Sequence, residues 1–141
     1  MRKICVALLF ALFCITGGAS ADSAANTPPE VDLDLTQFND MMAYSGLFNI
    51  FMEPEAYVGK VIKLKGRFDC VEDETGRRFY GVLLTDASAC CSAGLDFVLK
   101  DSYAYPRDYP KIGETVTVAG RFEMYNEGED VFAHLVDADI L

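Results

Sequence analysis

A mainly β domain is what this chain predicts: five short strands closing into a small barrel, with a helix near the N-terminus packed against it. Three observations carry that reading. Apolar and polar residues alternate over Ile62 to Cys70, and Val116, Val118, Gly120, Phe122 and Met124 recur at every second position, the period of a strand with one buried face. Clusters of turn-forming residues separate five such runs. Two of the runs also echo one another, with glycine at matching places.

The start of the chain stands apart. Arg2 and Lys3 precede an unbroken apolar run from Ile4 to Ile15, then Thr16, Gly17 and Gly18, then Ala19-Ser20-Ala21. A basic end, a short apolar core and a small-x-small site make an export signal. The core falls short of the roughly 20 residues that span a bilayer. Residues 1–21 are therefore expected to be a cleaved signal peptide, leaving a secreted or periplasmic chain that does not span a membrane. A lipoprotein is the competing reading, because Cys14 follows Ala11-Leu12-Phe13; the bulky Phe13 counts against lipid attachment. Residues 22–35, with Pro28-Pro29 and no apolar period, read as a disordered linker. Residues 36–141 form the domain.

Its elements follow in order. Phe38, Met41, Met42, Ser45, Phe48 and Ile50-Phe51 recur near helical spacing, Thr36 is a candidate cap, and Pro54 ends the run. Glu55 to Val58 suits a short helical turn closed by Gly59. The first strand covers Ile62 to Cys70. Glu72-Asp73-Glu74-Thr75-Gly76 is a turn, and Arg78 to Thr85 a more fully apolar second strand. Leu95, Phe97 and Leu99 mark the third. Tyr103, Tyr105, Pro106, Tyr109 and Pro110 fall in a connection too irregular for a sheet. Val116 to Met124 is the fourth strand, Asn126-Glu127-Gly128 a turn, and Val131 to Ile140 the fifth.

The echo sets the architecture. Val58 to Asp69 matches Ile112 to Glu123, each with one glycine before the strand and another inside it, Gly66 and Gly120. A mid-strand glycine permits the sharp bend that lets a small sheet close on itself. Five strands so bent, with a long insertion between the third and fourth, describe an OB-like Greek-key barrel.

The run from Tyr44 to Gly66, centred on Phe48-Asn49-Ile50-Phe51-Met52-Glu53-Pro54-Glu55-Ala56-Tyr57-Val58-Gly59-Lys60, resembles the entry to a soluble domain found at the C-terminus of proteins classed as bacterial permease subunits. That domain has no established function. It carries an adjacent Cys-Cys just after its second strand, the place that Cys90-Cys91-Ser92-Ala93-Gly94 occupies here. The resemblance covers about Tyr44 to Leu141 and implies an OB-like fold and metal handling. The present chain departs from it in lacking transmembrane helices and in its Tyr/Pro segment.

Charge bounds the partners. Twelve Lys and Arg stand against 22 Asp and Glu, for a net charge of −10. No basic cluster remains once the signal leaves, so a nucleic acid or an anionic membrane surface is expected to be repelled. The acidity fits a cationic partner, and it also serves solubility alone.

Chemistry concentrates in the cysteines. Cys5 and Cys14 leave with the signal; Cys70, Cys90 and Cys91 remain, an odd number for an oxidising compartment. Adjacent thiolates are soft ligands for zinc or copper. Tetrahedral zinc needs four ligands, so Cys70, His134, Asp86 or Asp96 would have to complete the site. His134 is the one histidine, and its strand is expected to run beside the third, where Cys91 lies. The expected metal ligands are thus Cys90, Cys91 and His134. A protein-interaction module with structural cysteines is the alternative, its partner site formed by Tyr103, Tyr105 and Tyr109; the same tyrosines would otherwise cap the barrel. Thiol redox chemistry is third, because no cation or helix N-terminus stands near the pair to lower a thiol pKa. No catalytic residue is expected. There is no Gly-x-Ser-x-Gly, no phosphate loop and no nucleophile beside the single histidine. The expectation is a non-enzymatic binding or accessory module, working with a metal ion or with another exported or membrane protein such as a permease.

Overall fold

A computed structural model describes residues 30–86 and 88–141 of the chain. The expected signal peptide, and residues 22–29 of the expected linker, lie outside the described residues. Among those described, six strands form one sheet with a single α-helix, α1. The strands are β1 (Leu33–Asp34), β2 (Val61–Glu72), β3 (Arg78–Thr85), β4 (Ser92–Leu99), β5 (Thr115–Glu127) and β6 (Asp130–Ile140), and α1 is Asp40–Met52.

The expected count of five strands is corrected to six. All five expected strands are present as β2 to β6, and the extra one is the two-residue β1, parallel to β2 through Leu33↔Ile62 and Asp34↔Lys63. It falls within the stretch read as linker, where two residues are too short to show any period. Leu35 follows it into the core, only 2% exposed.

The order β1-β2-β3-β4-β6-β5 carries an additional β2–β5 pairing, which joins the last strand back to the second and makes a ring of β2 to β6. β4 and β6 run parallel and every other neighbouring pair of the ring is antiparallel. The echoed segments are the two that close the ring. Ile62 pairs with Gly120, Leu64 with Val118 and Gly66 with Val116. The echo maps Leu64 onto Val118, its own cross-strand partner, so a local two-fold relates the two strands at that pair.

The glycines within them are sites of close approach. A Cβ on Gly66 would sit 2.4 Å from the Leu83 carbonyl oxygen and 2.9 Å from Val82 Cγ1; one on Gly120 would meet the Cβ atoms of Ala138 and Leu135, each at 2.9 Å. Inside the ring lie Ile62, Leu64, Phe68, Val82, Leu95, Phe97, Val118, Phe122 and Leu135, all essentially excluded from solvent.

The helix caps this core, but not through the expected face. Asn39, not Thr36, is the N-cap, its side chain accepting from the Met42 N–H at 3.0 Å. Ala43, Leu47 and Ile50 are buried, with Gly46 against Leu35. Phe38, Met41, Met42 and Phe48 of the expected stripe are exposed. The helix is apolar on both faces, and spacing alone does not choose between two stripes of the same period. After α1 a 3₁₀ turn, Pro54–Ala56, leads to Gly59 at φ 82°.

Replacing Gly66 or Gly120 by Ala is expected to destabilise the fold by about 2–3 kcal/mol each, because the new methyl meets backbone or packed Cβ atoms. Urea unfolding measures this; a loss under about 0.5 kcal/mol at both sites would contradict the close closure described.

Candidate functional site

The β3–β4 hairpin presents the cysteine pair at its tip. Thr85 pairs with Ser92, and beyond that rung Asp86 N–H donates to the Cys91 carbonyl at 3.0 Å. Ala89 N–H donates to the Asp86 carbonyl at 3.0 Å, and Ala89 itself has φ 56°. The left-handed turn at Ala89 folds the tip back over Asp86.

Asp86 is the hub. Its Oδ1 accepts from the backbone N–H groups of Cys90 at 3.0 Å and Cys91 at 3.3 Å. Its Oδ2 accepts from Ser88 Oγ at 2.9 Å and from Cys90 Sγ at 3.4 Å. Ser88 Oγ also lies 3.0 Å from Cys90 Sγ, and the two sulfurs are 3.6 Å apart. The hydroxyl of Ser88 foremost, then the Cys91, Cys90 and backbone donors, holds the Asp86 carboxyl below its ordinary pKa against some burial. The Cys91 thiol is pushed the other way, by its hydrogen bond with Cys90 and by the Asp86 charge.

Two of these distances, sulfur to sulfur and Cys90 Sγ to Asp86 Oδ2, are close to the edges of a tetrahedral ion's ligand shell. Metal–sulfur bonds of about 2.3 Å at tetrahedral angles separate two sulfurs by about 3.8 Å, with sulfur–oxygen edges slightly shorter. One donor atom from each of Asp86, Cys90 and Cys91 lies within 4.8 Å of the others. Oδ1 is occupied by backbone donors that orient the carboxylate, while Oδ2 contacts only protons that the chain can withdraw or redirect. Cys90 and Cys91 are exposed and Asp86 is half-buried.

The expected ligand His134 is not part of this group. It pairs with Asp96, five residues along β4 from Cys91, about 17 Å at strand rise. Its ring lies 4.5 Å from that of Tyr125. Burial lowers its pKa, opposed by Glu123 and Asp96. β4 and β6 are neighbours as expected, but their parallel register meets at Asp96, past the hairpin end. Cys70 is also remote: it pairs with Tyr80 near the other end of β3, is partly buried against the core, and burial raises its thiol pKa. All three described cysteines are unbonded thiols. Asp86 is one of the four candidates to complete the site but not the one expected; the turn pattern Asp86-x-Ser88 is the sequence signal that points to it.

The three tyrosines are placed unequally. Tyr109 is wedged beneath the core, its ring 4.4 Å from that of Tyr80 and 6.2 Å from Phe68. Tyr103 is likewise packed on the core, and Tyr105 is the exposed member, with the Arg78 guanidinium 5.0 Å over its ring.

No protein-family profile and no curated relative matches the chain. Among solved structures, it is similar to a Klebsiella pneumoniae lipoprotein provisionally described as nucleic acid-binding, at 16% identity over 76% of this chain and 82% of that one, with a TM-score of 0.40. It is also similar to the Plasmodium falciparum SSB in complex with ssDNA, at 16% identity over 57% of this chain and 93% of that one, with a TM-score of 0.34. The expected exclusion of nucleic acid partners is corrected by these neighbours. It rested on net charge and on the lack of a Lys/Arg cluster along the sequence, neither of which registers that Lys63, Lys65 and Arg67 alternate along β2 with buried Ile62, Leu64 and Phe68. No helix among the described residues is long and apolar enough to cross a membrane.

Replacing Asp86 by Asn leaves the Cys90 hydrogen bond that does most to raise the Cys91 pKa and removes the neighbouring charge that adds to it. The Cys91 thiol is expected to titrate at lower pH and to alkylate faster with iodoacetamide near neutral pH. An unchanged rate–pH profile would contradict the geometry described.

Proposed function

We propose that this chain is an exported binding module of the OB type, its ring of β2 to β6 serving as a barrel, and that the hairpin tip reversibly holds one soft metal ion, zinc or Cu(I). The observation that carries this is the convergence of Asp86, Cys90 and Cys91, whose ligand atoms lie within 4.8 Å of one another, with Cys90 Sγ 3.4 Å from Asp86 Oδ2 and 3.6 Å from Cys91 Sγ. Adjacent cysteines point apart in a regular strand; here the Ala89 turn brings both sulfurs beside one carboxylate.

Three protein ligands and one open position characterise sites that exchange their ion or act through it, whereas closed structural sites use four. Exposure of both cysteines supports the first kind, with the fourth ligand supplied by water or by a donor or acceptor protein. A copper or zinc carrier serving another exported or membrane protein fits that arrangement, and the resemblance to the soluble domain of permease subunits accords with it. Because both thiols must lose their protons, binding strengthens as pH rises toward the elevated Cys91 pKa and weakens as pH falls.

Competition titration of the protein with zinc and a chromophoric chelator is expected to show one site, weakened at least about tenfold by Cys90→Ser, by Cys91→Ser or by Asp86→Ala, with His134→Ala neutral. Proton release should accompany binding and grow as pH falls below the thiol pKa values. Equal affinity in the cysteine variants, or loss with His134→Ala, would overturn the assignment.

A further inference from the structure

A second site lies where β4 and β6 diverge. These strands pair only from Asp96 and His134 onward, so the first half of β4 and the first residues of β6 stand apart. The gap between them is a cleft of about 400 Å³, lined by Phe51 from the end of α1, by Pro54 from the turn after it, and by Gly94, Asp96, Met124, Phe132 and Ala133 from the sheet.

Asp96 is the charged group in that lining. It is half-buried, and among the described residues it makes no hydrogen bond and no ion pair. Its cross-strand neighbour is Gly81, and a Cβ there would come 3.3 Å from Asp96 Oδ1, so the carboxylate rests over a position that carries no side chain. Burial raises its pKa, with only His134 opposing; the carboxylate is short of both water and a counter-ion. Around it the surface is apolar and open. Phe51 is 38% exposed, Phe132 43% and Val131 59%, and Phe48 and Met52 of α1 are exposed as well.

An unpaired carboxylate in an aromatic cleft matches a flat organic cation: charge to the acid, faces to the rings. An ammonium group would carry a stronger hydration shell into the cleft; a guanidinium sheds water more readily and stacks on rings. The net charge of −10 favours approach of a basic partner. The apolar rim favours a partner that flanks its cation with apolar side chains over a free small molecule.

We propose that this cleft receives an arginine side chain from an apolar segment of a partner protein, with Asp96 as its counter-ion and Phe51 and Phe132 as its walls. Asp96 stands five residues along β4 from Cys91, about 17 Å at strand rise, and the cleft uses none of the groups of the cysteine hairpin.

The test is amide NMR of the isotope-labelled protein titrated with an acetylated, amidated Ala-Phe-Arg-Leu-Ala peptide. The expected result is movement of the Gly94, Asp96 and Ala133 signals, with affinity about tenfold weaker for the citrulline peptide, which keeps shape and loses charge, and about tenfold weaker in Asp96→Asn. Phe132→Ala should weaken binding as well, and Cys90→Ser with Cys91→Ser should leave it unchanged. The comparison of the two peptides on the unaltered protein needs no variant to fold. Equal binding of both peptides, no shifts at millimolar peptide, shifts confined to another face, or an oligothymidine that binds this cleft in place of the peptide would each overturn the proposal.

Discussion

The pairing of β2 with β5 is the constraint on which the rest of the structure depends. It turns an open run of strands into a ring, and the ring encloses Ile62, Leu64, Phe68, Val118, Phe122 and the facing side chains of β3, β4 and β6. Closing so few strands demands strong coiling, and the chain supplies it at Gly66 and Gly120, where neighbouring atoms already occupy the space of a side chain. The local two-fold at Leu64 and Val118 explains why the two segments look alike. Each crosses the other at its bend, and each must present apolar residues inward on the same period. Similar constraint produces similar sequence there, whatever the ancestry of the two segments.

Closure also decides what is left outside. The β3–β4 hairpin extends past the ring, beyond the Thr85–Ser92 rung, so its tip is free of core packing and is organised by its own hydrogen bonds around Asp86. At the parallel β4–β6 junction the strands pair over only part of their length, and α1 with the following turn covers the opening without filling it. One end of β4 thus carries a polar, sulfur-rich tip, while its middle carries a lone carboxylate beside an apolar cleft. The aromatic plug of Tyr109 against Tyr80 and Phe68 seals the core without a second helix.

Much of this was legible in the chain. Alternation located β2 and β5 within a few residues, apolar runs between turn signals located β3, β4 and β6, and the glycine echo pointed to closure. The helix was legible as an element but not in its orientation: Ala43, Leu47 and Ile50 lie inward while Met41, Phe48 and Met52 share the outer side, and all are apolar. Strand β1 is too short to have a pattern. In the candidate site, the two cysteines stood out, but their third partner was decided by the fold of a turn. Local hydrogen bonding selected Asp86 over His134, whose placement depended on a strand register that periodicity does not report. Asp96 entered only as one of four candidates to complete the metal site; its isolation becomes visible only when Gly81 and the divergence of β4 from β6 are seen together.

The measurement that bears most directly on the hairpin is X-ray absorption spectroscopy of the zinc-loaded protein at the zinc edge. Two sulfur neighbours at about 2.3 Å and two oxygen or nitrogen neighbours at about 2.0 Å are the result expected of an ion held by Cys90, Cys91, Asp86 and one exchangeable ligand. A first shell without sulfur, or one of four sulfurs drawn from two chains, would contradict a site built from this one hairpin.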